Sequence, residues 1–199
     1  MPAGSLAAMT WTPPTRPDAP LSAWVRPIHD WPKKGVLFRD LTPLWADAGA
    51  WARTVRALAK PFDAAPPDLI LGIEARGFLV AAALGAHWNR GILLARKPGK
   101  LPGKTFKEEY DLEYGRAALE TPADLLRPGS SVLIADDVIA TGGTAEAAYQ
   151  LTKATGCAPI AFAFLVELDY LGGRAKLDAL APVHSVIVFD GEGRVRVAE

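Results

Sequence analysis

The 199-residue sequence has little of several features that mark particular classes of protein. Its single cysteine, Cys157, excludes an internal disulfide framework and a cysteine-based zinc site, and is compatible with a reducing compartment. No run of about 18 uncharged apolar residues occurs, and the N-terminus lacks the charged start and apolar core of a secretory signal. We therefore expect a soluble, cytoplasmic protein without a membrane partner.

Charge of one sign is not in excess either. Lys plus Arg and Asp plus Glu number 22 each, so the formal net charge is zero. A balanced chain has no overall positive field with which to attract nucleic acid. The sequence therefore predicts no nucleic-acid partner, and its basic residues are interpreted locally.

Composition also bears on domain organisation. Residues 1–20 are rich in Pro and Ala without a helical or alternating pattern, which predicts a weakly ordered N-terminal extension. Half of the chain is apolar, enough for one substantial core but hardly for two. Because no repeat, linker or charge block interrupts the rest, we expect a single domain over residues 21–199.

Short, continuously apolar runs alternate with stretches of helical composition. Such runs are typical of strands buried on both faces. They occupy residues 68–73, 91–95, 131–135, 160–166 and 183–189, with helical stretches at 50–59, 77–88 and 145–155. Because parallel neighbours need long crossover connections, this order predicts an α/β fold with a central, mostly parallel sheet flanked by helices. The final RVRV predicts a short edge strand.

The clearest motif is VLIADDVIATGGTA, residues 132–145, where a buried strand meets two acids and a glycine turn. The turn consists of Ala140, Thr141, Gly142, Gly143 and Thr144. Its glycines permit positive φ, and the amides and dipole of the next helix favour an anion, so a phosphate fits there. Asp136 and Asp137 are placed to accept hydrogen bonds from sugar hydroxyls and to stabilise a developing sugar cation. A strand-to-helix turn capped by Asp and Thr is the structural alternative.

Two more polar segments follow strands of this sheet, at the edge where open α/β sheets bind ligands. Arg76 lies in the turn at residues 72–77, and its guanidinium suits bidentate contact with pyrophosphate, although a solvated surface arginine is the simpler interpretation. The segment 96–120 is too polar and too rich in Gly and Pro for a core element, and is typical of a lid or a solvated loop. Its basic residues are Arg96, Lys97, Lys100, Lys104 and Lys107.

These motifs resemble those of a known family. VLIADDVIATGGTA resembles the phosphoribosyl pyrophosphate motif of the type I phosphoribosyltransferases, and its Asp-Asp pair with ATGGT is most similar to the adenine-specific branch. EARGFL resembles the pyrophosphate loop of that branch, LEYG its lid, WPKKGVLFRDLTP its base-binding stretch and VEL a second base contact. The resemblance covers about residues 27–177, in motif blocks that fall in the family's order.

The resemblance implies the type I phosphoribosyltransferase fold with a mobile lid loop. It also implies transfer of a phosphoribosyl group from phosphoribosyl pyrophosphate to adenine, giving AMP and pyrophosphate in purine salvage. Mg²⁺ is then bound mainly by the substrate, and we expect no all-protein metal site. The family further implies a homodimer.

Site residues are carried over from the family motif by motif. Glu113 becomes the proton-transfer group, beside the catalytic pair Asp136 and Asp137. The residues implied to bind pyrophosphate are Arg76, Arg96, Lys97 and Lys100. In some related enzymes the lid cations come from the second subunit, which is the role implied for Arg96 and Lys100 here. The residues implied to bind the base are Phe38, which stacks, Leu37 and Arg39, which flank it, and Leu168, which closes the opposite face.

Two details and two alternatives complete the expectations. The family places a non-proline cis peptide at Ala75-Arg76. Trp31 stands where the family usually has Phe, Lys33 and Lys34 lie in the linker, and we expect this departure to touch neither inferred base contact. The alternatives are a phosphoribosyltransferase for another base, such as xanthine, hypoxanthine, guanine or a pyrimidine, and a regulator that only senses phosphoribosyl pyrophosphate. The DNA-binding domain expected of such a regulator has no counterpart in the short Pro-rich leader.

Overall fold

The computed structural model describes residues 11–112 and 115–197 of the chain. The chain divides into two compact units, the first ending at Arg53 and the second beginning at Thr54. The prediction of a single domain over residues 21–199 stays a prediction. Within the described residues, no helix combines the length and apolar character needed to cross a bilayer.

The first unit contains one hairpin and short helices. A 3-10 turn at Leu21–Trp24 precedes strands β1 (Arg26–His29) and β2 (Leu37–Asp40), which pair antiparallel. Helix α1 (Thr42–Ala46) and the start of helix α2 (Ala48–Ala59) follow. The buried side chains of this unit include Leu21, Trp24, Val25, Leu41 and Leu44. The hairpin therefore presents Leu37, Phe38 and Arg39 on one short strand.

The second unit is built on strands and crossover helices. Its strands are β3 (Leu69–Ile73), β4 (Gly91–Ala95), β5 (Thr105–Leu112), β6 (Gly115–Pro122), β7 (Ser131–Ile139), β8 (Ala158–Leu168), β9 (Val183–Phe189) and β10 (Val195–Val197). Its remaining helices are α3 (Gly77–Trp88), α4 (Gly143–Ala154) and α5 (Gly173–Asp178). Six strands form one sheet in the order β10-β9-β8-β7-β3-β4, parallel except for the antiparallel edge pair β10-β9. The predicted α/β fold is confirmed.

The core of this unit lies along its two central strands. Residues 132–135 of β7 and 161–167 of β8 are buried without interruption, as expected of strands covered on both faces. Leu151 and the buried alanines of α4, Ala145, Ala147 and Ala148, pack on them, and the rings of Phe162 and Phe164 stack with centroids 6.4 Å apart. This rigid centre holds the carboxyl ends of the strands in place, which is where the site lies.

The segment 96–120 differs from expectation. Strands β5 and β6 pair antiparallel, and next to them Arg96 and Glu120 exchange two backbone hydrogen bonds of 2.8 and 2.7 Å. Ala118 and Leu119 are buried, and Leu119 belongs to the same hydrophobic cluster as Leu151, Phe162 and Phe164. The prediction that this segment supplies no core element was wrong, because strand pairing satisfies the backbone of a polar sequence while a few apolar side chains face inward. The mobility of a lid stays a prediction.

Candidate functional site

The residues 140–144, called the 140–144 loop from here on, connect β7 to α4 at the carboxyl end of the sheet. Gly142 adopts a φ of +79°, and its carbonyl accepts the first hydrogen bond of α4 from the Glu146 amide at 2.9 Å. A cavity of about 100 Å³ opens over the loop. Its lining comprises Asp136, residues 138–145 and Phe164. The loop amides and one carboxylate therefore share a single concave site.

The acid pair lies inside β7 rather than after it, because this strand continues to Ile139. Asp136 is half-buried and lines the cavity, and its Oδ1 accepts a hydrogen bond from the Asp137 amide at 2.9 Å. Asp137 is only 3% exposed, and its Oδ2 lies 2.8 Å from Arg76 Nε in an ion pair. One acid thus faces the cavity while the other holds a guanidinium.

Burial changes the acidity of both carboxyls. Burial, together with the neighbouring charge of Asp137, raises the pKa of Asp136 well above the usual 3.8. Burial also raises the pKa of Asp137, and the positive charge of Arg76 opposes that rise. The pair therefore resists carrying two negative charges until further positive charge comes near. Across residues 11–112 and 115–197, no group of three or more His, Cys, Asp or Glu side chains is arranged to hold a metal ion.

Arg76 directly precedes α3, in the turn that follows β3. Its side chain is 44% exposed, so it can contact both Asp137 and a solvent-borne ligand. The next residue, Gly77, is needed sterically, because a Cβ there would lie 2.8 Å from Asp136 Oδ1. The Arg-Gly pair therefore brings a guanidinium and the acid pair together without a clash.

Glu74 joins this turn to the start of the basic segment. Its carboxylate accepts a hydrogen bond from the Lys97 amide at 2.8 Å and lies 3.3 Å from Arg96 Nε. The Lys97 hydrogen bond is the main reason that the pKa of Glu74 is lowered. Arg96 also donates to the Lys100 carbonyl at 2.9 Å. The cationic residues predicted to bind pyrophosphate thus lie on one rim, with the side chains of Lys97 and Lys100 exposed.

Sequence reasoning assigned no role to Glu74. The signal that could have found it is the sheet order, since β3 and β4 are parallel neighbours in register up to Ile73 and Ala95. Residues that follow paired positions of parallel strands meet at one edge. Without the strand order, nothing in the sequence links Glu74 to a segment about 20 residues away.

The residues predicted to bind the base fall in different units. Leu37, Phe38 and Arg39 lie on β2 of the first unit, and Leu168 ends β8 of the second. The Phe38 ring contacts the indole of Trp31, with centroids 4.3 Å apart and planes inclined by 61°. The expectation that the departure at Trp31 touches neither inferred base contact was therefore wrong at Phe38. The hairpin brings the two rings together although seven positions separate them along the chain.

Comparisons with known proteins agree with this geometry. A family model of the phosphoribosyl transferase domain matches residues 47–189. The adenine phosphoribosyltransferase of Bradyrhizobium sp. (strain ORS 278) is 46% identical over 175 residues, covering 87% of this chain and 98% of the relative. That of Sorangium cellulosum is 48% identical over 174 residues, covering 85% and 86%. The chain belongs to the adenine phosphoribosyltransferase family.

Solved structures of adenine phosphoribosyltransferases share the fold. The enzyme of Rhodothermus marinus matches with a TM-score of 0.81 and 41% identity, covering 85% of this chain and 96% of that one. The Saccharomyces cerevisiae enzyme was crystallised with an imino-altritol bisphosphate and adenine. It matches with a TM-score of 0.78 and 37% identity, covering 83% and 95%. The predicted phosphoribosyltransferase fold is thereby confirmed.

Two residue predictions carried over from the adenine phosphoribosyltransferase family have separate outcomes. The non-proline cis peptide lies at Glu74-Ala75, so its predicted place at Ala75-Arg76 was wrong by one residue. The error arose because peptide isomerism follows the backbone path, which no residue letter specifies. Glu113, the predicted proton-transfer group, lies outside the described residues together with Tyr114.

Proposed function

We propose that this chain transfers the 5-phosphoribosyl group from phosphoribosyl pyrophosphate to adenine, giving AMP and pyrophosphate in purine salvage. The observation that carries the proposal is the cavity over the 140–144 loop, where backbone amides suited to a phosphate lie beside the Asp136 carboxylate, suited to a sugar. The choice of adenine is supported by the names of the curated relatives.

The reaction is a displacement at the anomeric carbon of ribose. The bond from this carbon to the pyrophosphate oxygen breaks, a bond to a ring nitrogen of adenine forms, and that nitrogen gives up its proton. Positive charge develops on the ribose while the bonds change. Asp136 and Asp137 stabilise that charge. Burial raises the pKa of both carboxyls, and the cation that develops beside them favours their ionised forms.

Pyrophosphate leaves toward the cationic rim. Arg76 is aimed by its ion pair with Asp137, and its guanidinium, on a side chain that is 44% exposed, suits bidentate contact with a phosphate group. Arg96 and Lys97 are positioned by Glu74, and Lys100 follows them with an exposed ammonium. In this proposal the pyrophosphate and hydroxyl oxygens of the substrate would hold most of the Mg²⁺ coordination, and the ion would offset negative charge on the leaving pyrophosphate.

The residues that recognise the base in this proposal are those implied by the family resemblance. Phe38 and Leu168 supply apolar faces for the ring, and the backbone beside Phe38, at Leu37 and Arg39, reads its polar edge. Glu113 exchanges the proton with the ring nitrogen. The support for these roles is the family resemblance of WPKKGVLFRDLTP, VEL and LEYG.

The working form in this proposal is a cytoplasmic homodimer. The resemblance to enzymes whose lid cations cross the interface supports the dimer, and the exposed side chains of Lys97 and Lys100 are compatible with it. The single cysteine supports a reducing compartment. Light scattering of the purified protein should give twice the 21.2 kDa chain mass, and a monomer mass would contradict this part.

A base panel tests the activity. The purified protein is given phosphoribosyl pyrophosphate and Mg²⁺ with adenine, hypoxanthine, guanine, xanthine or orotate in separate reactions, and nucleotide formation is followed. We expect kcat/KM for adenine to exceed that for every other base by about 100-fold or more. Asp136→Asn, purified in the same way, controls for contaminating host enzymes. Turnover of guanine or orotate without adenine would overturn the base assignment, and substrate binding without any turnover would indicate a regulator.

A further inference from the structure

Helix α5 lies directly against the 140–144 loop, backbone to backbone. The Gly173 amide donates a hydrogen bond to the Ala140 carbonyl at 3.1 Å. A Cβ built on Gly173 would collide with that carbonyl oxygen and lie 2.9 Å from the Gly142 amide nitrogen. Such distances leave no room for any side chain at position 173 unless the loop moves.

The contact is tight from the side of the loop as well. A Cβ on Gly142 would lie 3.0 Å from the Gly173 carbonyl oxygen and 3.4 Å from Leu177 Cγ. Leu177 is fully buried, and Lys176 Nζ pairs with Glu146 Oε2 at 2.7 Å, which joins α5 to the first turn of α4. Helix α5 therefore contacts both the loop and the helix that the loop begins.

Arg174, the next residue of α5, is anchored to the sheet. Its Nε and Nη2 donate to the Glu167 carboxylate at 2.8 and 2.6 Å, and its Nη1 donates to the Val183 carbonyl at 2.8 Å. Glu167 is 2% exposed and lies near the end of β8, so this ion pair is held in the rigid part of the second unit. Whatever fixes Arg174 also fixes its neighbour Gly173 against the loop.

We propose that Gly173 and the Glu167–Arg174 ion pair are positioning residues for the phosphate site. They hold the 140–144 loop in the shape in which its amides converge on the 5-phosphate of the ribose substrate. Hydrogen bonds from amides to a phosphate depend on placement within a few tenths of an ångström, and the loop has a rigid support on this side. The proposal rests on the proposed function only in taking the loop's ligand to be a sugar phosphate.

Two neighbouring glycines give a matched test. Gly173→Ala introduces the collision at a position with no unusual φ, whereas Gly172→Ala introduces strain at a φ of +72° with nothing within 4 Å of the new Cβ. We expect Gly173→Ala to raise both the Kd for ribose 5-phosphate and the KM for phosphoribosyl pyrophosphate about 10- to 100-fold. Its KM for adenine should change by less than about threefold. Gly172→Ala should lower the melting temperature but leave both sugar-phosphate constants within about twofold.

A second pair of variants covers the case in which Gly173→Ala does not fold. Arg174→Lys keeps the positive charge beside Glu167 but loses the forked donors, so the KM for phosphoribosyl pyrophosphate should rise about three- to tenfold with kcat within about twofold. Arg194→Lys, which alters the ion pair between the exposed Arg194 and Asp190, is the control and should change neither constant.

Calorimetry with ribose 5-phosphate separates this proposal from the proposed function, because binding needs neither a base nor turnover. If the parent protein binds ribose 5-phosphate and the Gly173 and Arg174 variants lose affinity, the positioning role stands even when adenine is not a substrate. If the parent turns over adenine while both variants keep their sugar-phosphate constants, the positioning role is overturned and the function is not. A parent that does not bind ribose 5-phosphate also overturns it.

Discussion

The 140–144 loop and the cationic rim are built in opposite ways. The loop, the acid pair and the start of α4 come from one continuous stretch of 14 residues, 132–145. The rim joins two segments, the turn at Arg76 and the start of the segment 96–120, and Glu74 holds them together. A continuous motif carries its own geometry, whereas an assembled one depends on which strands are neighbours. The following predictions, from the largest expected effect to the smallest, probe that difference.

The largest effect belongs to the continuous motif. Asp137→Asn should lower kcat about 100- to 1,000-fold, because it removes a charge that stabilises the ribose cation and removes the ion pair with Arg76. The free energy of unfolding should change by no more than about 1 kcal/mol, since the ionised form is already disfavoured by burial. Steady-state kinetics and urea denaturation measure the two effects. Glu192→Gln, at an exposed acid, is the control, and a kcat within tenfold of the parent would contradict the assignment.

The acid pair should also produce an acidic limb in the pH profile of kcat/KM. Because the pKa of Asp136 is raised, activity should be lost as the pH falls through that raised value, about tenfold per pH unit below it. The linked effect on stability has the opposite sign. The folded protein binds the proton more tightly, so the pair's contribution to stability is fully present below 3.8 and is lost as the pH rises through the raised pKa.

Asp137→Asn sharpens the pH test, because titration of the substrate is common to parent and variant. Removing the neighbouring negative charge should move the residual acidic limb to lower pH. An identical limb in both proteins would assign it to the substrate rather than to the acid pair.

The assembled rim should be less sensitive to a single change. Glu74→Ala should raise the KM for phosphoribosyl pyrophosphate about tenfold, equivalent to about 1.4 kcal/mol, because Lys97 and Arg96 lose their common acceptor. Glu74→Gln keeps an acceptor for the Lys97 amide and should recover part of the loss. Kinetics at varied phosphoribosyl pyrophosphate measure both variants. The role of Glu74 in joining the rim is wrong if the alanine variant keeps the parental KM.

The smallest effect is expected in the first unit. Trp31→Ala should raise the KM for adenine about two- to tenfold, because an edge-to-face aromatic contact contributes about 0.5–1.5 kcal/mol and here supports Phe38. Trp31→Phe, the residue usual in the family, should stay within about twofold of the parent. Equal KM values for adenine in all three proteins would show that the indole does not support the base site.

The sequence predicts features that depend on neighbouring residues and misses those that depend on strand order or backbone path. The apolar runs located the strands, with β4 and β9 at their predicted bounds, because strands buried on both faces need continuous apolar sequence. The end of β7 was placed four residues early, at Ala135, because two acids were interpreted as ending the strand. Pairing with β8 overrides that local preference.

The candidate site shows the same division. The 140–144 loop and Asp136 share a cavity as their adjacency in the sequence suggests. The contacts of Glu74 with Arg96, of Gly173 with Ala140 and of Trp31 with Phe38 join positions that only the folded chain brings together. No periodicity or motif encodes them, because each contact joins residues that lie apart along the chain, and neither the hairpin nor α5 was predicted from the sequence.

The central claim is that the 140–144 loop holds the sugar phosphate from which a ribosyl group passes to adenine. Phosphorus NMR of the purified protein with phosphoribosyl pyrophosphate and Mg²⁺ tests it most directly. The account predicts that pyrophosphate and AMP appear in equal amounts only after adenine is added, and that Asp137→Asn slows both signals together. Pyrophosphate release that does not depend on adenine, or the absence of AMP when adenine is present, would contradict it.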